Sequence, residues 1–191
     1  MSTETNIEAI LQNIEGETKL REGIIDTPKR VAKMYKEIFD GYGKSPEEVL
    51  SKTFSKELDY EDSDYEANNG LVIVKDIDFY SHCEHHLVPF YGKVHIGYLP
   101  NDRVVGLSKL VRLVNIYAHR LQVQERLGEQ IANAIMEYLD CEGAIVVIEA
   151  VHLCMVMRGV KNPSAKTITS ALRGNFLDNA LRQEFFDLIR G

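Results

Sequence analysis

The chain has 191 residues, 45% of them hydrophobic and 27% charged, the balance of a globular protein and not of a disordered or fibrous one. Against 22 Lys and Arg stand 29 Asp and Glu, a formal net charge of −7, whereas a general nucleic-acid binder would show a basic domain. No apolar run approaches the ~20 residues of a membrane helix, and the first residues, MSTETNIEAILQNIEGE, lack the basic segment and apolar core of a secretory signal. Three cysteines, an odd number, fit a reducing compartment better than a disulfide scaffold, so a cytoplasmic address is expected.

Ile7, Ile10, Leu11 and Ile14 recur at helical spacing and predict a first helix. A second has Thr27 as N-cap, Pro28 at its first position, Val31, Tyr35, Ile38 and Phe39 on its apolar face, and Gly41 as its stop. Ser45-Pro46-Glu47-Glu48 repeats the start signal as a capping box. Residues 57–66, ELDYEDSDYE, are acidic and have no core face, which predicts a solvated linker between an N-terminal helical region, 1–66, and a second domain, 67–191.

From Leu71 the pattern changes to strands, LVIVKDIDF and KVHIGYLP, separated by YSHCEHHLVPFYG, which is too polar for ordinary core. Leu110, Val111, Val114 and Tyr117 then mark one helical stripe, and Val123, Leu127, Ile131, Ile135 and Leu139 a second, with a break near Leu121-Gln122. AIVVIEAVHLCMVMRGV reads as the longest strand and KTITSAL as another. Residues 175–190 close the chain as an amphipathic helix through Leu177, Leu181, Phe185, Leu188 and Ile189. The order α, α, α, β, β, α, α, β, β, α predicts an α+β fold, an antiparallel sheet with helices on one face.

Cys83 and His86 stand three residues apart in Cys-Glu-His-His, a separation that lets a tight turn bring thiolate and imidazole to one metal ion. In His152-Leu153-Cys154, read as strand, residues 152 and 154 point to one face, about 6.6 Å apart. Thiolate and imidazole form a borderline-soft set that suits zinc over magnesium or calcium. With Cys83, His86 and Cys154 as ligands, His85 and His152 stay free beside the metal, and a fourth position stays open. That is the arrangement of catalytic zinc, where bound water ionises near neutral pH and an imidazole can move protons. A closed structural site is the competing reading. Cys141, beyond a helix end with no histidine beside it, reads as inert packing. His95 reads as a strand side chain and His119 as a helix-end one.

A protein of this net charge must gather basic residues locally to hold an anion. Arg158 shares strand parity with His152 and Cys154, about 13 Å beyond Cys154 if the strand stays regular. Ser108, Lys109 and Arg112 line one face at a helix start, with Ser108 as cap, where amide donors and the helix dipole favour an anion. A solvated helix start with ordinary surface charges accounts for them equally. Gln124 and Glu125 open the following helix. An amide and a carboxylate can read the donor edge of a purine, and the same two residues are simply good helix starters.

Three segments, SHCEHHLVPFYGKVHIGYLP, GLSKLVRLVNIYAHRLQVQERL and EAVHLCMVMRGV, occur in an order that closely resembles GTP cyclohydrolase I, over residues 27–176 and with the first 25 or so outside it. The resemblance implies a tunnelling fold, in which the sheets of several subunits join into a β-barrel ringed by helices, usually as a homodecamer with active sites at subunit interfaces. It implies zinc on Cys83, His86 and Cys154, His85 and His152 as active-site histidines, and Ser108 assisting the ribose rearrangement. It further implies Gln124 and Glu125 as the guanine-reading pair and Ser108, Lys109, Arg112 and Arg158 as ribose–triphosphate contacts. Arg30, with Lys33 as a secondary candidate, would be contributed by a neighbouring subunit. The implied reaction converts GTP and water to 7,8-dihydroneopterin triphosphate and formate, the first step of tetrahydrofolate and pterin biosynthesis, with no nucleic-acid or membrane partner. Two rivals are a tunnelling-fold enzyme acting on another pterin or a deazaguanine, and a non-enzymatic module with a closed zinc.

Overall fold

The computed structural model describes residues 1–55 and 70–190. The acidic segment 57–66 and the expected domain boundary at 66/67 lie outside the described residues. By contacts the chain divides into two compact units, Met1–Asp40 and Gly41–Gly191.

In the first unit, α1 (Thr3–Glu15) is capped by Ser2, whose hydroxyl accepts from the Thr5 amide at 3.2 Å. It packs against α2 (Thr27–Ile38). Asp26, not Thr27, is the N-cap of α2; it is already helical at φ −91°, ψ −3°. Its carboxylate caps nothing and instead lies 3.5 Å from Arg30 Nη2. The helix ends at Ile38, short of Gly41, with Phe39 as C-cap.

In the second unit, α3 (Pro46–Leu50) starts at Ser45, whose hydroxyl accepts from the Glu48 amide at 3.3 Å. A short pair, β1 (Thr53–Ser55) with β4 (Arg103–Val105), stands apart from a five-stranded sheet of order β5–β2–β3–β6–β7. There β2 (Val72–Cys83), β3 (Pro89–Pro100), β6 (Cys141–His152) and β7 (Thr167–Gly174) are antiparallel. The expected break between two helices is itself a strand, β5 (Leu121–Gln122), which joins the edge parallel to β2 and pairs Gln122 with Cys83.

Helices α4 (Leu107–Ala118) and α5 (Gln124–Tyr138) cover one sheet face. Strand parity decides what they meet: Ile77 and Phe79 of β2, Val94 and Ile96 of β3, and Val146 and Ile148 of β6 join Leu110, Leu113, Val114, Leu127, Ile131 and Ile135 in the main core. Val111 is not part of it; at 36% exposed it lies off the stripe, and Leu113 takes its place.

The opposite parity of β6, Ile145 and Val147, meets Phe176 and Phe185, so α7 (Asn179–Arg190) adds cover to the other face. Gly97 permits this close approach, because a Cβ there would stand 2.7 Å from the Phe185 ring and 2.9 Å from Ile145 Cγ2. A 3₁₀ turn, Asn175–Leu177, precedes α7, and Leu177 and Leu188 remain exposed although both were expected on its buried stripe.

The longest expected strand stops early. After His152 the chain turns into α6 (Leu153–Val156), closed by the Met157 amide donating to Leu153 O at 3.0 Å and the Asn162 amide to Met155 O at 3.0 Å. The strand-parity argument placing Cys154 and Arg158 on the face of His152 therefore fails: neither residue is in a strand. No helix among the described residues is long and apolar enough to cross a membrane.

Candidate active site

Cys83 ends β2, and the turn 84–86 follows directly. Its carbonyl accepts from the amides of His86 at 3.3 Å and Leu87 at 2.8 Å, while its own amide donates to Val88 O at 3.0 Å. This tightness places Leu87 at φ +56°, in the left-handed region. The Glu84 amide donates to Gln122 O at 3.0 Å and ties the turn to β5. The helical turn α6 brings Cys154 to the same place. One ligand atom each from Cys83, His86 and Cys154 lies within 4.8 Å of the other two.

Cys83 is buried, Cys154 half-buried and His86 exposed, so the group opens to solvent on one side. Burial pushes the Cys154 thiol up, and the neighbouring Cys83 adds to it, a crowding of two sulfurs that a divalent cation relieves by holding both as thiolates. Two sulfurs and an imidazole fit zinc. His85 Nδ1 also lies 3.8 Å from Cys83 Sγ, much like His86 Nδ1 at 3.9 Å, but His85 is outside the three-way group.

His152 stands at the end of β6, in register with Phe90 of β3. Their rings stack at 4.6 Å, and His152 Nε2 lies 2.7 Å from Gln124 Oε1. Burial lowers the His152 pKa, and the carboxylate of Glu125 opposes that shift. Gln124 is buried, whereas Glu125, the next residue of α5, is exposed. Although the parity argument fails for Arg158, the loop after α6 still delivers it, with Nη1 3.0 Å from His86 Nε2.

The remaining expected residues take part in none of the contacts just described. Ser108 is not the cap of α4; Gly106 takes that position in extended geometry, and Ser108 lies within the first turn. Ser108 and Arg112 are exposed and Lys109 half-buried. Arg30 and Lys33 lie on α2, exposed, in the Met1–Asp40 unit.

Other residues bear on the site without any signal in their own neighbourhoods. Arg126 of α5 pairs with Glu84 and donates to Gln122 Oε1 and Leu121 O, both at 3.2 Å, clamping the Cys83–His86 turn against β5 and α5. Its hydrogen bond holds the Glu84 carboxyl below the usual range. Phe90 and Thr169 are visible only through strand register and hydrogen bonding. Cys141 opens β6, and burial pushes its thiol up to about 11, in keeping with inert packing.

The sequence profile of the family described as GTP cyclohydrolase I matches residues 3–190, well beyond the span 27–176 that carries the motifs and into the first 25 residues. The chain belongs to the GTP cyclohydrolase I family. GTP cyclohydrolase 1 of Clostridium perfringens is 55% identical over 175 residues, 91% of this chain and 89% of that one. GTP cyclohydrolase 1 of Dehalococcoides mccartyi is 54% identical over 196 residues, covering 100% of this chain and 98% of its own. Membership in the GTP cyclohydrolase I family makes the chain an enzyme, a hydrolase acting on GTP. Among solved structures, the apo archaeosine synthase QueF-Like shares 17% identity at a TM-score of 0.43, over 55% of this chain and 93% of its own, a likeness too slight to bear on fold or activity.

Proposed function

We propose that the chain converts GTP and water to 7,8-dihydroneopterin triphosphate and formate at a zinc centre on Cys83, His86 and Cys154. The observation that carries this is the meeting of those three donors, from two distant segments, within 4.8 Å. Bound there, zinc lowers the pKa of water toward neutrality and so supplies a nucleophile at physiological pH.

The chain's own residues do the rest. Glu125 accepts N–H groups of the guanine edge and fixes the base, with Gln124 beside it. Lys109, Arg112 and Arg158 hold the triphosphate through charge-assisted hydrogen bonds, so that C8 is presented to the metal side. His152 takes a proton from the attacking water on its free ring nitrogen and passes it to the imidazole-ring nitrogen of guanine as the C8–N bond opens, and His85 moves protons in the later hydrolysis that releases formate. Two waters enter in these steps. Ser108 assists the Amadori rearrangement of the ribose, and closure of the pterin ring expels one water, leaving one water consumed.

The same reading makes the protein a homo-oligomer, a decamer with Arg30 reaching a neighbour's site. Edge strand β7 supports it: among the described residues it pairs only with β6, and its other edge can take a neighbouring sheet. Three free cysteines suit a cytoplasmic enzyme. Incubation with GTP, following formate and the pterin fluorescence that appears after oxidation, tests the reaction. Equal yields of both are expected, and absence of formate from zinc-loaded protein rejects the proposal.

A further inference from the structure

Gln124 opens α5 with its side chain turned under the sheet, 1% exposed. Its Nε2 lies 3.0 Å from Ile148 O, 3.0 Å from Thr167 O and 3.1 Å from Thr169 Oγ1. Two of these partners are carbonyl oxygens, which only accept, so the atom facing them must be the amide nitrogen and not the oxygen. The orientation of the amide follows from its surroundings. Its oxygen is then the atom that meets His152 Nε2 at 2.7 Å. An amide oxygen also only accepts, so Nε2 must carry the hydrogen of the neutral ring, which leaves Nδ1 bare.

The stack on Phe90, with planes 4° from parallel, holds the plane of the imidazole. The bond to Gln124 fixes its rotation within that plane. Both N–H groups of Gln124 are committed to β6 and β7, and its oxygen to His152. To read a base with this side chain, the enzyme would have to break up a buried hydrogen-bond network. Glu125, one residue further and exposed, carries no such commitment.

We infer that Gln124 is a positioning residue for His152 and not a reader of guanine: its amide locks the imidazole as the Nε2–H tautomer and leaves Nδ1 as the unengaged nitrogen. The inference rests on the reaction proposed above for its catalytic meaning, but the tautomer is a property of the chain alone. It transmits order from β6, through Ile148, and from β7, through Thr167 and Thr169, to the histidine.

Neutron diffraction from deuterium-exchanged crystals of the zinc-loaded wild-type enzyme, in mildly alkaline buffer, tests it without any turnover. Deuterium is expected on His152 Nε2 along the line to Gln124 Oε1, with two deuterons on the Gln124 nitrogen. A bare Nε2, or a reversed amide, overturns the inference even if GTP is converted. A protein that converts no GTP but shows this tautomer defeats the proposed reaction and leaves the assignment standing. Kinetics on Gln124→Met add a second readout: kcat is expected to fall about a hundredfold, the low end of acid–base contributions, with the KM for GTP unchanged within about twofold. A raised KM with kcat retained identifies a base reader and refutes the positioning role. If that variant does not fold, the wild-type neutron density alone decides.

Discussion

Phe90 and His152 occupy paired positions on β3 and β6, and their rings lie 4.6 Å apart and 4° from parallel. The pairing places an aromatic plate under the imidazole at the last residue before the chain leaves the sheet for α6. A fully buried ring thereby links the core to the reactive edge.

Replacing Phe90 by Leu keeps most of the apolar volume and removes the stack. A loss of about 1 kcal/mol in urea unfolding is expected from the ring contact, with zinc content unchanged and kcat reduced. Phe90→Ala adds a cavity and should lose about 3–5 kcal/mol. Wild-type kcat in Phe90→Leu would show that the plate has no catalytic consequence.

Cys154→Ala removes one of the two sulfurs of the candidate metal group. Zinc and GTP turnover should disappear together, measured by atomic absorption and formate release, while far-UV circular dichroism stays native because the half-buried Cys154 only borders the main core. His152→Ala should instead keep its zinc and stop before formate. One equivalent of zinc with full turnover in Cys154→Ala contradicts the assignment.

Arg126 touches Glu84, Gln122 and Leu121 but none of the three metal donors. Its replacement by Leu loosens the turn that carries Cys83 and His86. Zinc affinity, measured by competition with a chromophoric chelator, should weaken by about 10-fold to 100-fold. An unchanged affinity would show that backbone hydrogen bonds alone hold the turn.

Two glycines should respond with opposite sign to alanine. At Gly92 a Cβ would stand 1.9 Å from Glu149 O and 2.8 Å from Ala150 Cα, both backbone atoms that cannot give way inside the sheet. That variant should be misfolded or insoluble. At Gly128 in α5 the nearest atoms are Ile148 Cδ1 at 3.6 Å and Ala171 Cβ at 3.8 Å, ordinary contacts. Relief of glycine's backbone entropy should raise stability by about 0.5–1 kcal/mol, read as a higher Tm.

Burial pushes the Cys141 thiol from 9.0 up to about 11. Between those values the unfolded chain has released this proton and the native one retains it. The contribution is fully present below about pH 9 and is lost as pH rises toward about 11. Unfolding curves across that window should fall less steeply for Cys141→Ala than for wild type. Identical slopes would place the thiol in water.

The sequence by itself determined the order of the longer helices and strands, the second helix around Pro28, the capping role of Ser45, and Cys83, His86 and Cys154 as candidate donors. These signals are local: apolar period, a cap, or a three-residue spacing acts through neighbours on the same turn. Tertiary structure alone decided that β6 ends at His152, that Gly106 rather than Ser108 caps α4, and that α7 reaches the second sheet face. It also decided what surrounds His152. Gln124 is 28 positions away in sequence, and Phe90 lies on a different strand; their contacts depend on strand register and on how α5 packs against β6 and β7. Even the placement of Cys154 beside Cys83 came about through a helical turn and not strand parity: the chain bends after His152, where the Met157 amide donates to Leu153 O and the Asn162 amide to Met155 O.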